Sequence, residues 1–291
     1  MNILVTGACG QLGMELRRLG AGTAHRFLFA DLLPAPDTLA LDILDTAAVM
    51  AAARDFGAGA IINCAAYNDV PRAESDSEAA YRLNRDAVQG LAGVARELGA
   101  VLVHISSDYI FDGQRRTPYP DNAPGAPLSV YGSSKLAGEQ AVRDSGCKYL
   151  IFRTSWLYSP YGKNFLKTTL DITSRRPEMR VVNDQRGTPT YAADLAGAIL
   201  CALERLPHGL NRSYNYSDGG AVTWYGFARA INELSGHGCR ILPCSSDEYP
   251  SGVRRPAYSV LDKRLVKRTF ALSIPHWKCS LSECLERMSI L

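Results

Sequence analysis

The 291-residue chain predicts an α/β protein built on a doubly wound parallel sheet, with a smaller C-terminal substrate-binding lobe. Three observations predict it. An apolar strand runs straight into a glycine-rich turn at the N-terminus. Strand-like and helix-like segments then alternate through the first half. After about residue 155 the alternation loosens into helices separated by proline-containing loops.

Ile3 to Thr6 is a short apolar run of the kind that forms a buried parallel strand. Gly7-Ala-Cys-Gly10-Gln-Leu-Gly13 follows at once, and Gln11 onward reads as the first turns of a helix. Gly7 lets the chain reverse tightly. Gly10 leaves room for a pyrophosphate to approach bare backbone, and Gly13 lets the helix lie close to the strand. The helix start offers free N–H groups and a positive dipole end to phosphates. This is a Rossmann-type dinucleotide turn, with the middle glycine shifted to give G-x-x-G-x-x-G.

A second strand, Arg26 to Ala30, ends at Asp31, close to the ~20-residue offset at which an acid meets the adenosine ribose. A carboxylate there accepts hydrogen bonds from the ribose diol and repels a 2′-phosphate, which leans toward NADH. Arg17 and Arg18 lie nearby in sequence and can offset that repulsion, so NADPH stays open as well. Asp42 and Ile43 are candidates for contact with the adenine.

The elements continue in order. A helix is expected near Thr46–Phe56 and a strand over Ala60–Cys64. A long helix over about 74–98 follows from Ala80, Leu83, Ala87, Leu91, Val94 and Leu98 at helical spacing. Val101–Ser106 reads as a strand, 112–128 as a loop, and Tyr149–Thr154 as a strand. Helices near 163–175, 191–205, 223–235 and 280–289 make up the C-terminal part. Residues 1–155 are thus expected to bind NAD(P) and carry the reacting groups. Residues 156–291 are expected to bind substrate, with some segments returning to the main sheet.

Tyr131 and Lys135 are four apart and share one face of a helix. A phenol, with a pKa near ~10, is a poor acid or base at neutral pH. A nearby ammonium stabilises the phenolate and lowers that pKa. The same lysine can hydrogen-bond a nicotinamide ribose, while Tyr131 gives its proton to a carbonyl oxygen that receives hydride at carbon. Ser106-Ser107-Asp108 sits at the carboxyl end of the strand that starts at Val101, at the sheet edge where ligands bind in this architecture. Ser107 is the candidate for the carbonyl hydrogen bond, because a hydroxyl both donates and accepts. Asp108 is placed near substrate hydroxyls. Asn63-Cys64-Ala65-Ala66 ends the strand that starts at Ala60, with small side chains that let the cofactor cross the sheet edge. Asn84 is read as a structural polar residue holding the helices.

Hydrophobic content of 46% with 21% charged residues is ordinary for a globular protein. A formal charge of +3 without a Lys/Arg run argues against nucleic acid, and no apolar run is long enough to span a membrane. The eight cysteines contain no C-x-x-C and read as thiols in a reducing cytoplasm.

Taken together, the chain resembles the extended short-chain dehydrogenases, and more narrowly the dTDP-4-dehydrorhamnose reductases. The matching stretches are Gly7–Leu16, Asn63–Ala66, His104–Phe111, Val130–Glu139, Phe152–Tyr158, Asn183–Thr190 and Arg255–Asp262. The resemblance implies NAD(P)H-dependent reduction of the 4-keto group of dTDP-4-dehydro-β-L-rhamnose. It places Gly10, Gln11 and Leu12 on the pyrophosphate, Asp31 on the ribose, and Cys64, Ala65 and Ala66 beside the cofactor. Ser107, Asp108 and Trp156 meet the sugar, and Arg255 faces the diphosphate. Two departures stand out: Ser107 replaces the family's threonine, and Ile105 replaces a tyrosine. Some members bind Mg2+ at a dimer interface through acids. Glu15 occupies one matching position but Ala193 replaces another acid, so the expectation is no bound metal. Monomer and homodimer both stay open. The rivals are a reductase of another nucleotide-linked 4-keto-6-deoxysugar and a catalytically silent dinucleotide-binding regulatory subunit.

Overall fold

The computed structural model describes residues 1–206, 210–249 and 252–291. Strand β1 (Asn2–Thr6) passes through the glycine turn into helix α1 (Gln11–Gly20). Strands β2 (Arg26–Asp31), β3 (Leu39–Ala40), β4 (Ala60–Asn63), β5 (Val101–Ser107) and β6 (Lys148–Thr154) follow. A late strand, Arg212–Asn215, pairs with β6 and completes a seven-stranded parallel sheet. Its spatial order is Arg212–Asn215, β6, β5, β4, β1, β2, β3. The order reverses between β1 and β4, so the ligand crevice of a doubly wound sheet opens at their carboxyl ends.

The strands read as unbroken apolar runs because both faces are covered. Ile3, Val5, Ile62, Val103 and Phe152 face α1 and the helix Ala192–Glu204. Leu4, Ile61, Leu102 and Ile151 face the helices α2 (Thr46–Phe56) and Ala87–Leu98. The period-two alternation of a strand therefore sorts one sequence into two cores.

The expected strands stand within a residue or two of their places. The expected helix over 74–98 is instead divided. Helices Val70–Ser75 and Ser77–Tyr81 lead into a π-helical turn, Arg82–Asp86, and then Ala87–Leu98. The run starts early because Asp69 caps it, accepting the Arg72 N–H, with Pro71 in the first turn. Asp76 leaves helical geometry and makes the break. A further helix, Arg264–Phe270, was not foreseen.

The C-terminal lobe packs helices Phe165–Arg175, Trp224–Leu234 and Trp277–Arg287 around Tyr158, Leu166, Tyr191, Phe227 and Leu281. Strand Arg212–Asn215, helix Ala192–Glu204, Val266 and Phe270 return to the main sheet and its core. Among the described residues no helix is long and apolar enough to cross a membrane.

Candidate active site

The glycine turn is shaped by close contact. Gly7 has a φ of +67°, and a Cβ there would stand 2.5 Å from the Ala65 nitrogen. A Cβ on Gly13 would stand 2.5 Å from the Gly7 carbonyl oxygen. Gly10 caps α1 with no side-chain hydrogen bond, so the helix start keeps bare N–H groups. A turn with glycine at its three positions of close approach, at the sheet's reversal point and beneath a helix start without a side-chain cap, fits a dinucleotide pyrophosphate.

Asp31 does local work beside this turn. One carboxylate oxygen accepts the Cys9 N–H and the other the Leu32 N–H, both at 2.8 Å. Leu12 is buried in the main core, which leaves only its backbone to face the crevice. Asp42 accepts the Leu44 N–H, and Ile43 is buried in the second core. Gln11 turns its amide toward the lobe: its Oε1 accepts from Asn164 Nδ2 at 2.9 Å and Ser159 Oγ at 3.0 Å. Cys64, Ala65 and Ala66 are half-buried at the end of β4. Burial and the Asp31 charge push the Cys64 thiol far up, so it stays neutral.

The helix Val130–Asp144 carries Tyr131 and Lys135. Ser129 caps it by accepting the Gly132 N–H at 3.1 Å. Two glycines set how closely it packs. A Cβ on Gly132 would lie 2.2 Å from the Tyr109 carbonyl oxygen, and one on Gly138 would lie 2.1 Å from that of Asn84. Asn84, in the π turn, accepts the Tyr67 N–H and donates to Tyr67 O and Ser134 Oγ. It thus fastens the loop after β4 to the Tyr131 helix, as its sequence position suggested.

Tyr131, Ser107, Asp108 and Lys135 are all buried at the carboxyl edge of β5. Burial raises the Tyr131 phenol above its ordinary range, and the neighbouring Ser107 hydroxyl opposes the rise. Lys135 donates to the Ile105 carbonyl at 2.6 Å. Desolvation brings its ammonium down to about 8, while Glu139, one turn along, pulls it back up. Asp108 accepts from Ser107 Oγ at 3.2 Å, and its second oxygen is buried with no hydrogen-bond partner within normal distance among the described residues. Burial pushes its carboxyl up to about 7, against the pull of the Ser259 and Ser107 hydroxyls.

Trp156 bounds the site with a left-handed backbone, φ +48°, which is rare for a bulky residue. Its indole stacks on Trp224 with centroids 3.5 Å apart. Gly187 accommodates it, since a Cβ there would lie 2.6 Å from the ring. Arg255 lines a cavity of about 950 Å3 that also takes in Lys163, Arg180, Gln185, Trp224 and Arg254. Its guanidinium reaches the Tyr109 hydroxyl at 3.3 Å, and the Tyr109 ring meets Tyr131 edge-on at 5.6 Å.

The RmlD substrate binding domain family matches residues 1–290. The dTDP-4-dehydrorhamnose reductase of Burkholderia thailandensis is 38% identical, over 98% of this chain and 98% of its own. The chain belongs to the dTDP-4-dehydrorhamnose reductase family. A crystal structure of the Bacillus anthracis dTDP-4-dehydrorhamnose reductase in complex with NADP superposes with a TM-score of 0.90. It is 34% identical, with 98% of this chain and 99% of that one covered. A dTDP-4-keto-6-deoxy-D-glucose reductase from Streptomyces niveus is 37% identical over 96% of this chain and 95% of its own.

In this member of the reductase family, two positions weighed for a metal, Glu15 and Ala193, both lie inside the protein. Glu15 is fully buried and accepts Arg287 Nη1 at 2.7 Å and Arg18 Nε at 2.9 Å, so its carboxylate serves an internal ion cluster. Ala193 is buried in the lobe core. Sequence reasoning missed Glu139, Ser259 and Trp224. Glu139 stood four residues after Lys135, a visible helical pairing, whereas Ser259 arrives from a remote loop and Trp224 from the first turn of the helix Trp224–Leu234, neither with a local signal that points to the site.

Proposed function

We infer that this chain reduces the 4-keto group of dTDP-4-dehydro-β-L-rhamnose to dTDP-L-rhamnose, with NADPH or NADH as hydride donor. The gathering of Ser107, Tyr131 and Lys135 beside the glycine turn is the observation that carries the reading. The reduced nicotinamide supplies hydride to C4. Tyr131, kept protonated by burial, gives its proton to the carbonyl oxygen, and Ser107 donates a hydrogen bond to that oxygen. Lys135 holds the nicotinamide ribose. Much of the rate comes from fixing donor and acceptor in one geometry.

Gly7, Gly10, Gln11, Leu12 and Gly13 cradle the pyrophosphate through backbone, and Asp31 takes the adenosine ribose. Asp42 and Ile43 border the adenine, with Cys64, Ala65 and Ala66 along the cofactor. Asp108 and Trp156 face the sugar, and Arg255 faces the diphosphate, where a guanidinium fork suits phosphate oxygens. Residues 1–155 chiefly serve the cofactor and 156–291 chiefly the sugar nucleotide. The reading is of a cytoplasmic protein, monomeric or homodimeric, with eight free thiols.

Absorbance of the reduced nicotinamide tests it, using dTDP-4-dehydro-L-rhamnose with NADPH, then NADH, with and without Mg2+. Tyr131→Phe is expected to lose about 100-fold or more in turnover, the scale of one general acid, while binding the cofactor as the parent does. A Tyr131→Phe protein with full turnover refutes the mechanism. The 37% identity to a 4-keto-6-deoxy-D-glucose reductase favours one second reading, a related keto-sugar reduced to the other C4 epimer. Product analysis by NMR separates the two.

A further inference from the structure

A second concavity, of about 930 Å3, lies outside the site described above. Six cationic residues line it, Arg115, Arg116, Arg186, Lys263, Arg264 and Lys267, of which Lys263 already donates to Ser217 Oγ and the Asp218 carbonyl. Asp262 is its lone carboxylate, and it is taken by Arg264 at 2.6 Å. Arg116, Arg186 and Lys267 are exposed and have no carboxylate partner among the described residues. The whole chain carries a formal charge of only +3, so this groove concentrates positive charge well beyond the average surface. Such focusing in a concave wall attracts multivalent anions. The half-buried ring of Tyr258 adds an aromatic surface to the same wall.

The groove shares its wall with the sugar site. Two extended segments run side by side, with Arg186 N–H donating to Ala257 O and Ser259 N–H to Arg186 O, both at 2.8 Å. Successive residues in extended chain point to opposite sides. Arg186 lines the groove while Gly187 seats Trp156.

We propose that this groove is a second ligand site, specific for a polyphosphate group, and that its occupancy is transmitted to the sugar site through Arg186–Gly187. The ligand is either a nucleoside polyphosphate or a free inorganic polyphosphate. The groove's charge supplies affinity for both, and Tyr258 offers a stacking face only to the first.

Calorimetric titration with inorganic tripolyphosphate, at physiological ionic strength and with saturating NADPH, tests the site without relying on the catalytic reading. Saturating cofactor closes the dinucleotide crevice to the probe. The double substitution Arg116→Glu with Lys267→Glu lies on exposed side chains remote from the reacting groups. It is expected to weaken tripolyphosphate binding at least about tenfold, as loss of charge-assisted contacts should, with an unchanged melting temperature. Arg255→Ala, in the substrate cavity, is expected to leave that binding intact. Tripolyphosphate should change the KM for the keto-sugar in the parent but not in the double variant. Tighter binding of ATP than of tripolyphosphate, abolished by Tyr258→Leu, identifies a nucleotide as the ligand; equal binding identifies the polyphosphate alone. No binding by the parent, or equal binding by parent and double variant, overturns the site. A KM that does not respond while the groove is filled overturns the transmission.

Discussion

Asp108 is buried between Ser107, Tyr131 and Ser259, and its carboxyl is lifted from an ordinary 3.8 to about 7. For an acid, a raised folded-state pKa means that the native protein holds the proton more tightly than the unfolded chain. Its contribution to stability is therefore full below about pH 4 and is lost as pH rises through about 7. Each unit of pKa difference is worth about 1.4 kcal/mol, so the complete loss is about 4 kcal/mol. Between about pH 5.5 and about pH 8.5, linkage assigns roughly 2 kcal/mol of that loss. Asp108→Asn replaces the protonated acid with a neutral side chain of the same shape and removes the titration. The stability of the Asn variant relative to the parent should rise by roughly 2 kcal/mol across that interval.

Urea unfolding of both proteins at a series of pH values measures the difference directly. Any fixed packing cost of the amide shifts both ends equally and drops out of the slope. Groups that titrate in both proteins cancel in the same way. A difference that stays flat from about pH 5.5 to about pH 8.5 would refute the claim that burial holds this carboxyl protonated. The kinetic counterpart is an inflection near 7 in the parent's kcat/KM profile that is missing in the Asn variant.

Glu139 and Trp224 yield two more expectations. Burial alone would raise the Glu139 carboxyl, but Arg153 grips both of its oxygens at 2.8 Å and Arg143 adds a contact, so it stays below the ordinary range. Glu139→Gln strands the buried Arg153 and should cost about 3–5 kcal/mol in urea unfolding. It also removes the charge that props up Lys135, so the ammonium falls further below about 8, which a pH profile of turnover reads separately. Trp224→Ala takes away the ring on which Trp156 stacks, at 3.5 Å between centroids. The KM for the sugar nucleotide should rise up to about tenfold, the scale of one aromatic pair, with cofactor affinity unchanged by fluorescence titration.

The parallel sheet was legible because strands buried on both faces are written as short apolar runs, and the turns between them as glycines. The glycine turn, Tyr131 with Lys135, and Ser107 with Asp108 were legible because their chemistry lies in short-range spacing. The early start of the expected 74–98 helix was signalled by Asp69 and Pro71, but its division at Asp76 was hidden by the helical periodicity through Ala80 and Leu91. The neighbours that set the electrostatics were not legible. Lys135 sits on the Ile105 carbonyl through a contact thirty residues long in sequence. Ser259 reaches Asp108 from a loop, and Trp224 reaches Trp156 from the start of the helix Trp224–Leu234, and in neither case does the local pattern name the distant partner.

Helix α1 shows why a division near residue 155 describes roles better than it describes bodies. Its start bears the bare N–H groups of the cofactor turn, yet Gln11 is held by Ser159 and Asn164. One helical turn on, Glu15 is held by Arg287, which also contacts the Tyr191 hydroxyl. Both tethers are polar, and the second is fully buried on the carboxylate side, so neither slides at low cost. The helix that presents the pyrophosphate cradle is therefore clamped to the lobe that carries the sugar wall. Hydride transfer needs donor and acceptor registered to within a fraction of an ångström. On the proposed function, that registration rests on α1 as well as on the Tyr131 helix, through contacts that neither half of the sequence contains alone.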